Sequence, residues 1–162
     1  MGTQLMDDER THVLPDPSTE FGRRVRDRLR DEPVVWLATV TAGGTPQPNP
    51  VWFLWQPDSG DPWGDGSFLI YHLRNAARLE SLAARPHVSL HFNSTPDGGD
   101  IVVFTGEVEL LAGHPLAHEV PDYAQKYTAA VGRITGGTKS VEEFMADYPV
   151  PSRVRPKRVR GF

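Results

Sequence analysis

Short runs of alternating apolar and polar residues dominate this chain, and they predict β-strands rather than long helices. The predicted strands cover residues 34–41, 50–56, 67–72, 87–92, 101–111 and 152–162. The glycine turn at 42–45 joins the first two strands too closely for a parallel crossover, so this pair is expected to be antiparallel. Gly106 interrupts the apolar pattern of its strand and predicts a bulge or bend.

Helical spacing is confined to three stretches of the chain. In the first, Asp16 is the predicted N-cap, and Phe21, Val25 and Leu29 recur every four residues, so they share one face. The other two stretches are 75–84 and 116–147, the latter broken at Gly132 and 136–137 and resumed after an N-cap at Ser140.

Strands outnumber helices, which favours a mainly β fold, an antiparallel β-barrel with a few helices, over a doubly wound sheet. Residues 1–15 are polar and lack periodicity, so we expect a flexible N-terminal arm followed by a single domain over 16–162. The chain has neither a G-x-G-x-x-G fingerprint nor a G-x-x-x-x-G-K-[ST] loop, which argues against both common nucleotide-binding folds.

Prolines occupy alternate positions at the start of the second strand, at Pro46, Pro48 and Pro50. Each proline lacks a backbone N–H, so this run is expected on a sheet edge or beside a cleft. There the amides of Gln47 and Asn49 are free to meet a planar polar ligand. An irregular sheet edge that binds nothing explains the same pattern equally well.

Composition narrows the classes of function and partner. The chain has 162 residues, no cysteine and a formal net charge of −4. The absence of cysteine excludes disulfides and thiolate metal sites, and the charge argues against a general nucleic-acid partner. No apolar run approaches the roughly 20 residues of a membrane span, and the N-terminus lacks a signal-peptide pattern. We therefore expect a cytoplasmic protein with no membrane partner.

Candidate catalytic chemistry is sparse. His87 and His91 share one strand face, but no third ligand lies at a useful spacing, so structural histidines are favoured and no metal site is predicted. Arg74 and Arg78 suit either a solvated helix face or an anion site. No Ser-His-Asp set, carboxylate pair or reactive lysine stands out, and the catalytic residues stay unknown.

Several segments together resemble the split-barrel flavoproteins related to pyridoxamine 5'-phosphate oxidase. The resemblance rests on the order A-T-V-x-x-x-G-x-P-Q-x-x-P-V, then an aromatic residue, a short polar turn, a basic residue and L-x-x-L, then R-P-x-V-S-L. It covers most of the chain from about residue 17, including 36–55, 68–90, 102–110 and 154–162. Within this family the chain is most similar to the actinobacterial oxidoreductases that use the deazaflavin coenzyme F420.

The resemblance implies an FMN-binding type of split β-barrel that forms a homodimer, with the cofactor at the subunit interface. One strand would line the isoalloxazine-like ring through Gln47, Pro48, Asn49, Pro50, Val51 and Trp52. A second group would hold the phosphate, namely Tyr71, His72, Arg74, Asn75 and Arg78. A helix beginning near Asn75 would add its N-terminal N–H groups. Trp52 and Trp55 have opposite parity, so at most one of them is expected to face the cofactor.

The implied activity is transfer of a hydride between reduced F420 and a small unsaturated or quinone-like substrate. Two alternatives remain open. The first is an FMN-dependent oxidoreductase on the same fold, and the second is a non-catalytic protein that binds deazaflavin or haem.

Overall fold

A computed structural model describes residues 12–162, and over this range the chain is mainly β with a few helices, as the sequence predicts. The strands are β1 (Val35–Val40), β2 (Pro46–Val51), β3 (Leu54–Pro57), β4 (Gly66–His72), β5 (His87–His91), β6 (Val102–Leu110) and β7 (Val150–Gly161). The helices are α1 (Glu20–Asp31), α2 (Arg78–Ala84), α3 (Pro121–Thr135) and α4 (Val141–Met145), with a short 3₁₀ turn at Ala117–Glu119.

The strands form one antiparallel sheet in the order β2-β1-β5-β6-β7-β4-β3. Its two edge strands, β2 and β3, are neighbours in sequence and are separated only by Trp52 and Phe53. The sheet must therefore curl until its two edges meet at these two residues. This half-barrel is the split-barrel architecture that the sequence predicts.

The predicted single strand over 50–56 is wrong, because the chain forms β2 and β3 with a break at Trp52 and Phe53. The proline run itself is a sheet edge, as predicted, since β2 pairs only with β1. The three prolines occupy alternate positions, so the backbone N–H groups that they lack all belong to one side of the strand. The N–H groups of Gln47 and Asn49 are on the other side and remain for hydrogen bonds to β1.

Two apolar clusters pack on opposite faces of β4. The barrel interior is filled by aromatic and aliphatic side chains such as Phe53, Phe68 and Phe104, and Val25 and Leu29 of α1 cover it. The second cluster joins the other face of β4 to α3 and α4, through Leu69, Tyr71, Tyr123, Tyr127 and Met145. Because β4 is buried on both faces, residues of either parity on this strand are fixed by packing.

The described end of the predicted N-terminal arm packs against the body of the protein. Residues 1–11 lie outside the described residues. The backbone N–H groups of Val13 and Leu14 donate to the carboxylate of Asp65 at 2.8 and 2.9 Å, and Leu14 is only 2% exposed. His12 stacks on Trp63 with 4.2 Å between ring centroids. A carboxylate some fifty positions away along the chain therefore binds residues 13 and 14 of the predicted arm.

Helix ends differ from prediction where a cap or turn takes over. The N-cap of α1 is Thr19, whose hydroxyl accepts from the N–H of Gly22, whereas Asp16 accepts from Ser18 in the preceding turn. Gly132 lies inside α3, and Gly136, at a φ of 59°, ends that helix in the left-handed conformation.

Two other local predictions are confirmed. A register shift separates Thr105 from Gly106 in β6, which is the predicted bulge. Ser140 caps α4, since its hydroxyl accepts from the N–H of Glu143 at 3.1 Å. No helix within residues 12–162 is both long and apolar enough to cross a membrane.

Candidate functional site

A cavity of about 330 Å³ lies between the sheet and the helices α3 and α4, and we call it the aromatic cavity. Five residues predicted from sequence line it, namely Pro50, Val51, Trp52, Tyr71 and Arg78. Six further lining residues come from the later part of the chain, namely Ala117, Tyr123, Ile134, Phe144, Met145 and Tyr148. The two stretches that the sequence marks as ring-binding and phosphate-binding therefore meet at one cavity.

The break between β2 and β3 sets the position of Trp52. The hydroxyl of Tyr127 accepts from the N–H of Phe53 at 2.8 Å and donates to the carbonyl of Pro33 at 2.7 Å. Lys126 also donates from Nζ to the carbonyl of Phe53 at 2.9 Å. These bonds satisfy the backbone where the ladder stops, and they hold Trp52 against the helix.

The indole of Trp52 lies flat on the ring of Tyr127, with 4.2 Å between centroids and 1° between planes. Phe144 packs at the indole with 5.6 Å between centroids. Trp55 instead belongs to the barrel interior, where it meets Phe68 edge-on. Strand alternation separates the two tryptophans only along one continuous strand, which the break at Trp52 and Phe53 removes, so it stays a prediction that at most one of them faces the cofactor.

Arg78 supplies the charge of the cavity. It is the only charged side chain among the described residues that line the aromatic cavity. Burial lowers the pKa of its guanidinium from the usual value, but an arginine stays protonated at any ordinary pH. A single fixed positive charge in an aromatic cavity favours a ligand that is flat and carries an anionic group.

His72 lies behind Arg78 rather than in the cavity wall. It is 0% exposed, Arg78 Nε donates to its Nδ1 at 2.9 Å, and its Nε2 lies 2.8 Å from Ser152 Oγ. Burial, and then the neighbouring charge of Arg78, lowers the pKa of His72 to about 3. Both ring nitrogens are engaged within the protein, so this geometry leaves His72 no free atom for a phosphate.

The tyrosines of the cavity are neutral hydrogen-bonding groups. Tyr71 donates from its hydroxyl to the carbonyl of Pro115 at 2.7 Å, and burial raises its pKa to about 12. Burial also raises the pKa of Tyr123 well above its usual value. Neither phenol ionises near neutral pH, so these residues orient and enclose a ligand without adding negative charge.

Some predicted residues lie outside the aromatic cavity. Gln47 and Pro48 are exposed on the edge strand, and Asn49 is half-buried there. Arg74 and Asn75 are exposed in the turn before α2. The helix predicted to begin near Asn75 begins at Arg78, after a turn in which the N–H of Ala76 donates to the carbonyl of Leu73 at 3.1 Å. The phosphate contacts predicted for Arg74 and Asn75 stay predictions.

The lining residues from α3 and α4 are the ones that the sequence prediction missed. Tyr123 and Tyr127 are four residues apart, and Val131 follows at the same interval, so all three share the buried face of α3. That spacing is a readable signal for an apolar helix face. It does not reveal which strand the face covers, because the contact joins segments about 50–70 positions apart in sequence.

One group of possible metal ligands lies outside the cavity, near the N-terminal segment. Side-chain atoms of His12, Asp61 and Asp65 all lie within 4.8 Å of one another. The Asp65 carboxylate already accepts two backbone N–H groups from the N-terminal segment, and Asp61 accepts from the N–H of Trp63 at 2.8 Å. The Asp65 contacts therefore hold the N-terminal segment, and the Asp61 contact lies within the loop at 61–63.

A curled antiparallel half-barrel with an aromatic cavity at its seam defines a split-barrel protein. A family model described as pyridoxamine 5'-phosphate oxidase matches residues 21–159, and the chain belongs to that family. Comparison of the sequence with curated proteins finds no match.

Solved structures with the same fold have diverse ligands. A structure described as F420 reductase is 25% identical, with a TM-score of 0.52, and the match covers 83% of this chain and 94% of that one. A FAD-binding protein from Mesorhizobium loti is 17% identical, with a TM-score of 0.54 and coverage of 85% and 88%. HutZ, the heme storage protein from Vibrio cholerae, is 16% identical, with a TM-score of 0.53 and coverage of 86% and 92%.

Proposed function

We propose that this protein is an F420-dependent oxidoreductase that transfers a hydride between the reduced deazaflavin and a small unsaturated or quinone-like substrate. Membership of the pyridoxamine 5'-phosphate oxidase family supports an oxidoreductase. Similarity to an F420 reductase at 25% identity supports the deazaflavin. The observation that carries the proposal is the aromatic cavity itself, in which a flat indole surface and one guanidinium occur together.

The donor set of the cavity fits such a cofactor. Trp52, Tyr71 and Phe144 offer aromatic surface for a flat conjugated ring, and Arg78 offers a fork of N–H donors for a phosphate. When bound, the deazaflavin supplies two-electron hydride chemistry that no side chain provides. The chain contributes binding, orientation and exclusion of water.

The volume of the cavity limits what it takes. About 330 Å³ is at the small end of the range for ligand pockets. We infer that the cavity holds the ring and the phosphate, and that the rest of the cofactor extends past Arg78 towards the exposed Arg74. The negative tail of F420 would then meet a second cation outside the cavity.

The exposed predicted residues belong to the proposed dimer. Gln47, Pro48 and Asn75 are largely solvent-exposed in a single chain. In a homodimer with the cofactor at the subunit interface, these residues would border the cofactor together with the partner. Their polar groups and carbonyls suit the edge of an isoalloxazine-like ring.

An FMN-dependent oxidoreductase is the second candidate, because an aromatic cavity with one guanidinium suits the FMN ring and phosphate equally well. Turnover separates the two. Reduced F420 should be oxidised in the presence of a quinone by the wild type, and the rate should fall strongly in Arg78→Ala. Arg30→Ala, on the exposed face of α1, is the matched control and should leave the rate unchanged. Turnover with reduced FMN but not with reduced F420 would identify the protein as an FMN-dependent oxidoreductase.

A further inference from the structure

His72, Arg78 and Ser152 form a buried hydrogen-bonded chain directly behind the aromatic cavity. Arg78 Nε donates to His72 Nδ1 at 2.9 Å, and His72 Nε2 lies 2.8 Å from Ser152 Oγ. Ser152 Oγ in turn lies 3.4 Å from the carbonyl of Ile70. The chain of bonds thus runs from the cavity wall to the backbone of β4.

The direction of these bonds is fixed by chemistry. A guanidinium nitrogen only donates, so His72 Nδ1 must be the acceptor and carries no proton. The single proton of the neutral imidazole is then on Nε2, which donates to the Ser152 hydroxyl. Ser152 directs its own proton towards the Ile70 carbonyl. Arg78 Nε, His72 Nε2 and Ser152 Oγ therefore each have one acceptor, and no alternative neutral tautomer satisfies the Arg78 contact.

This arrangement has a consequence for the free end of the arginine. Within residues 12–162, no hydrogen bond is found from Nη1 or Nη2 of Arg78 to a protein acceptor. With Nε bound to a fully buried ring, the plane of the guanidinium is set and both terminal nitrogens remain available. A planar group held in this way loses little further side-chain freedom when it binds an anion.

We propose that His72 is a positioning residue, which orients Arg78 so that its terminal nitrogens receive the anionic group of the ligand. This inference rests on the proposed function only for the identity of the ligand. Lysine cannot replace Arg78 here, because a single ammonium cannot bind the His72 ring and also present two parallel donors. The pair therefore acts as one unit.

Paired ligands test the proposal, since FMN and riboflavin share a ring and differ by one phosphate. His72→Phe fills the buried volume but has no acceptor, and we expect it to weaken FMN binding by about tenfold, the loss typical of a displaced charge-assisted bond. Riboflavin binding should be unchanged. His72→Gln, whose amide offers both an acceptor and a donor, should recover much of the FMN affinity. An equal loss for FMN and riboflavin in His72→Phe would overturn the positioning role.

A second measurement is independent of any cofactor. Nitrogen NMR of the full chain should show His72 as the Nε2-protonated tautomer, with a scalar coupling across the hydrogen bond between Arg78 Nε and His72 Nδ1. An Nδ1-protonated ring or the absence of this coupling would refute the proposal. If neither flavins nor F420 bind while the coupling is present, the proposed function fails and the anchoring of Arg78 stands.

Discussion

Because His72 is buried in its neutral form, the free energy of unfolding of the protein falls at acidic pH. The folded pKa of His72 is about 3, against 6.5 for an unperturbed histidine, because burial and Arg78 both disfavour the charged ring. Between these pH values the unfolded chain binds a proton that the folded chain does not. Acid therefore favours unfolding across this interval, and the stability is fully regained above it.

Replacement of His72 should make the free energy of unfolding depend less on pH in the acidic range. At pH 4 the proton on unfolded His72 should lower the free energy of unfolding by about 3 kcal/mol relative to pH 7. His72→Gln does not titrate, so its stability should fall less over the same range. Urea denaturation at pH 4, 5, 6 and 7 provides the comparison. Parallel curves for the two proteins would contradict a neutral buried histidine.

At the scale of elements, α3 stabilises the break between β2 and β3, where the two edges of the sheet meet. Tyr127 bonds to the backbone of Phe53, in the break between β2 and β3, and to the carbonyl of Pro33, which precedes β1, and Trp52 stacks on its ring. The backbone of Phe53 at the seam is thus satisfied by a side chain of α3 rather than by a strand ladder. The same contact shapes the wall of the aromatic cavity.

Removal of the Tyr127 hydroxyl tests this role of α3. Tyr127→Phe leaves the buried N–H of Phe53 without its acceptor, and it should lower the free energy of unfolding by about 1–3 kcal/mol. Tyr148→Phe is a matched control, because no protein hydrogen bond to the Tyr148 hydroxyl is found within residues 12–162. It should change the unfolding midpoint little. A similar loss in both variants would argue against a specific role for Tyr127.

Two glycines should respond in opposite directions to the same substitution. A Cβ on Gly106 would lie 2.2 Å from the carbonyl oxygen of Arg155, so Gly106→Ala should destabilise the bulge by about 1–3 kcal/mol. Gly132 lies in α3, and a Cβ added there would meet nothing within 4 Å, so Gly132→Ala should stabilise the protein by about 0.5–1 kcal/mol. Thermal unfolding of the two variants checks both signs.

The sequence predicts those elements whose cause is local. The prolines of β2, the bulge at Gly106 and the cap at Ser140 each follow from the covalent chemistry of one residue. The break at Trp52 and Phe53 does not, because α3 satisfies the backbone there from about seventy positions away. A strand pattern alone cannot reveal such a contact.

The residues of the site are also of two kinds, those predicted from local sequence and those that tertiary packing brings to the cavity. Trp52 in the break after β2, Tyr71 on β4 and Arg78 at the start of α2 all belong to segments that the motif order marks, and they meet at the cavity. His72 belongs to the same motif yet is buried behind Arg78, because its burial depends on Ser152 of β7, far along the chain. The aromatic side chains of α3 and α4 join the site only through tertiary packing.

At the scale of the whole molecule, the curled sheet leaves most of the proline edge exposed, together with Arg74 and Asn75 in the turn before α2. We propose that a second copy of the chain completes this region. Light scattering of the purified protein should then give twice the 18.0 kDa mass of one chain. A monomer at micromolar concentration would contradict the proposed dimer interface, and the cavity would then belong to a single chain.

The identity of the ligand is tested most directly by equilibrium titration of the purified protein with F420, FMN and haem in separate experiments, followed by ligand fluorescence or absorbance. We predict binding of F420 in preference to the other two, with affinity lost in Arg78→Ala and retained in Arg30→Ala. A Soret band on addition of haem, with no F420 binding, or equal F420 affinity in both variants, would contradict an F420 site at the aromatic cavity.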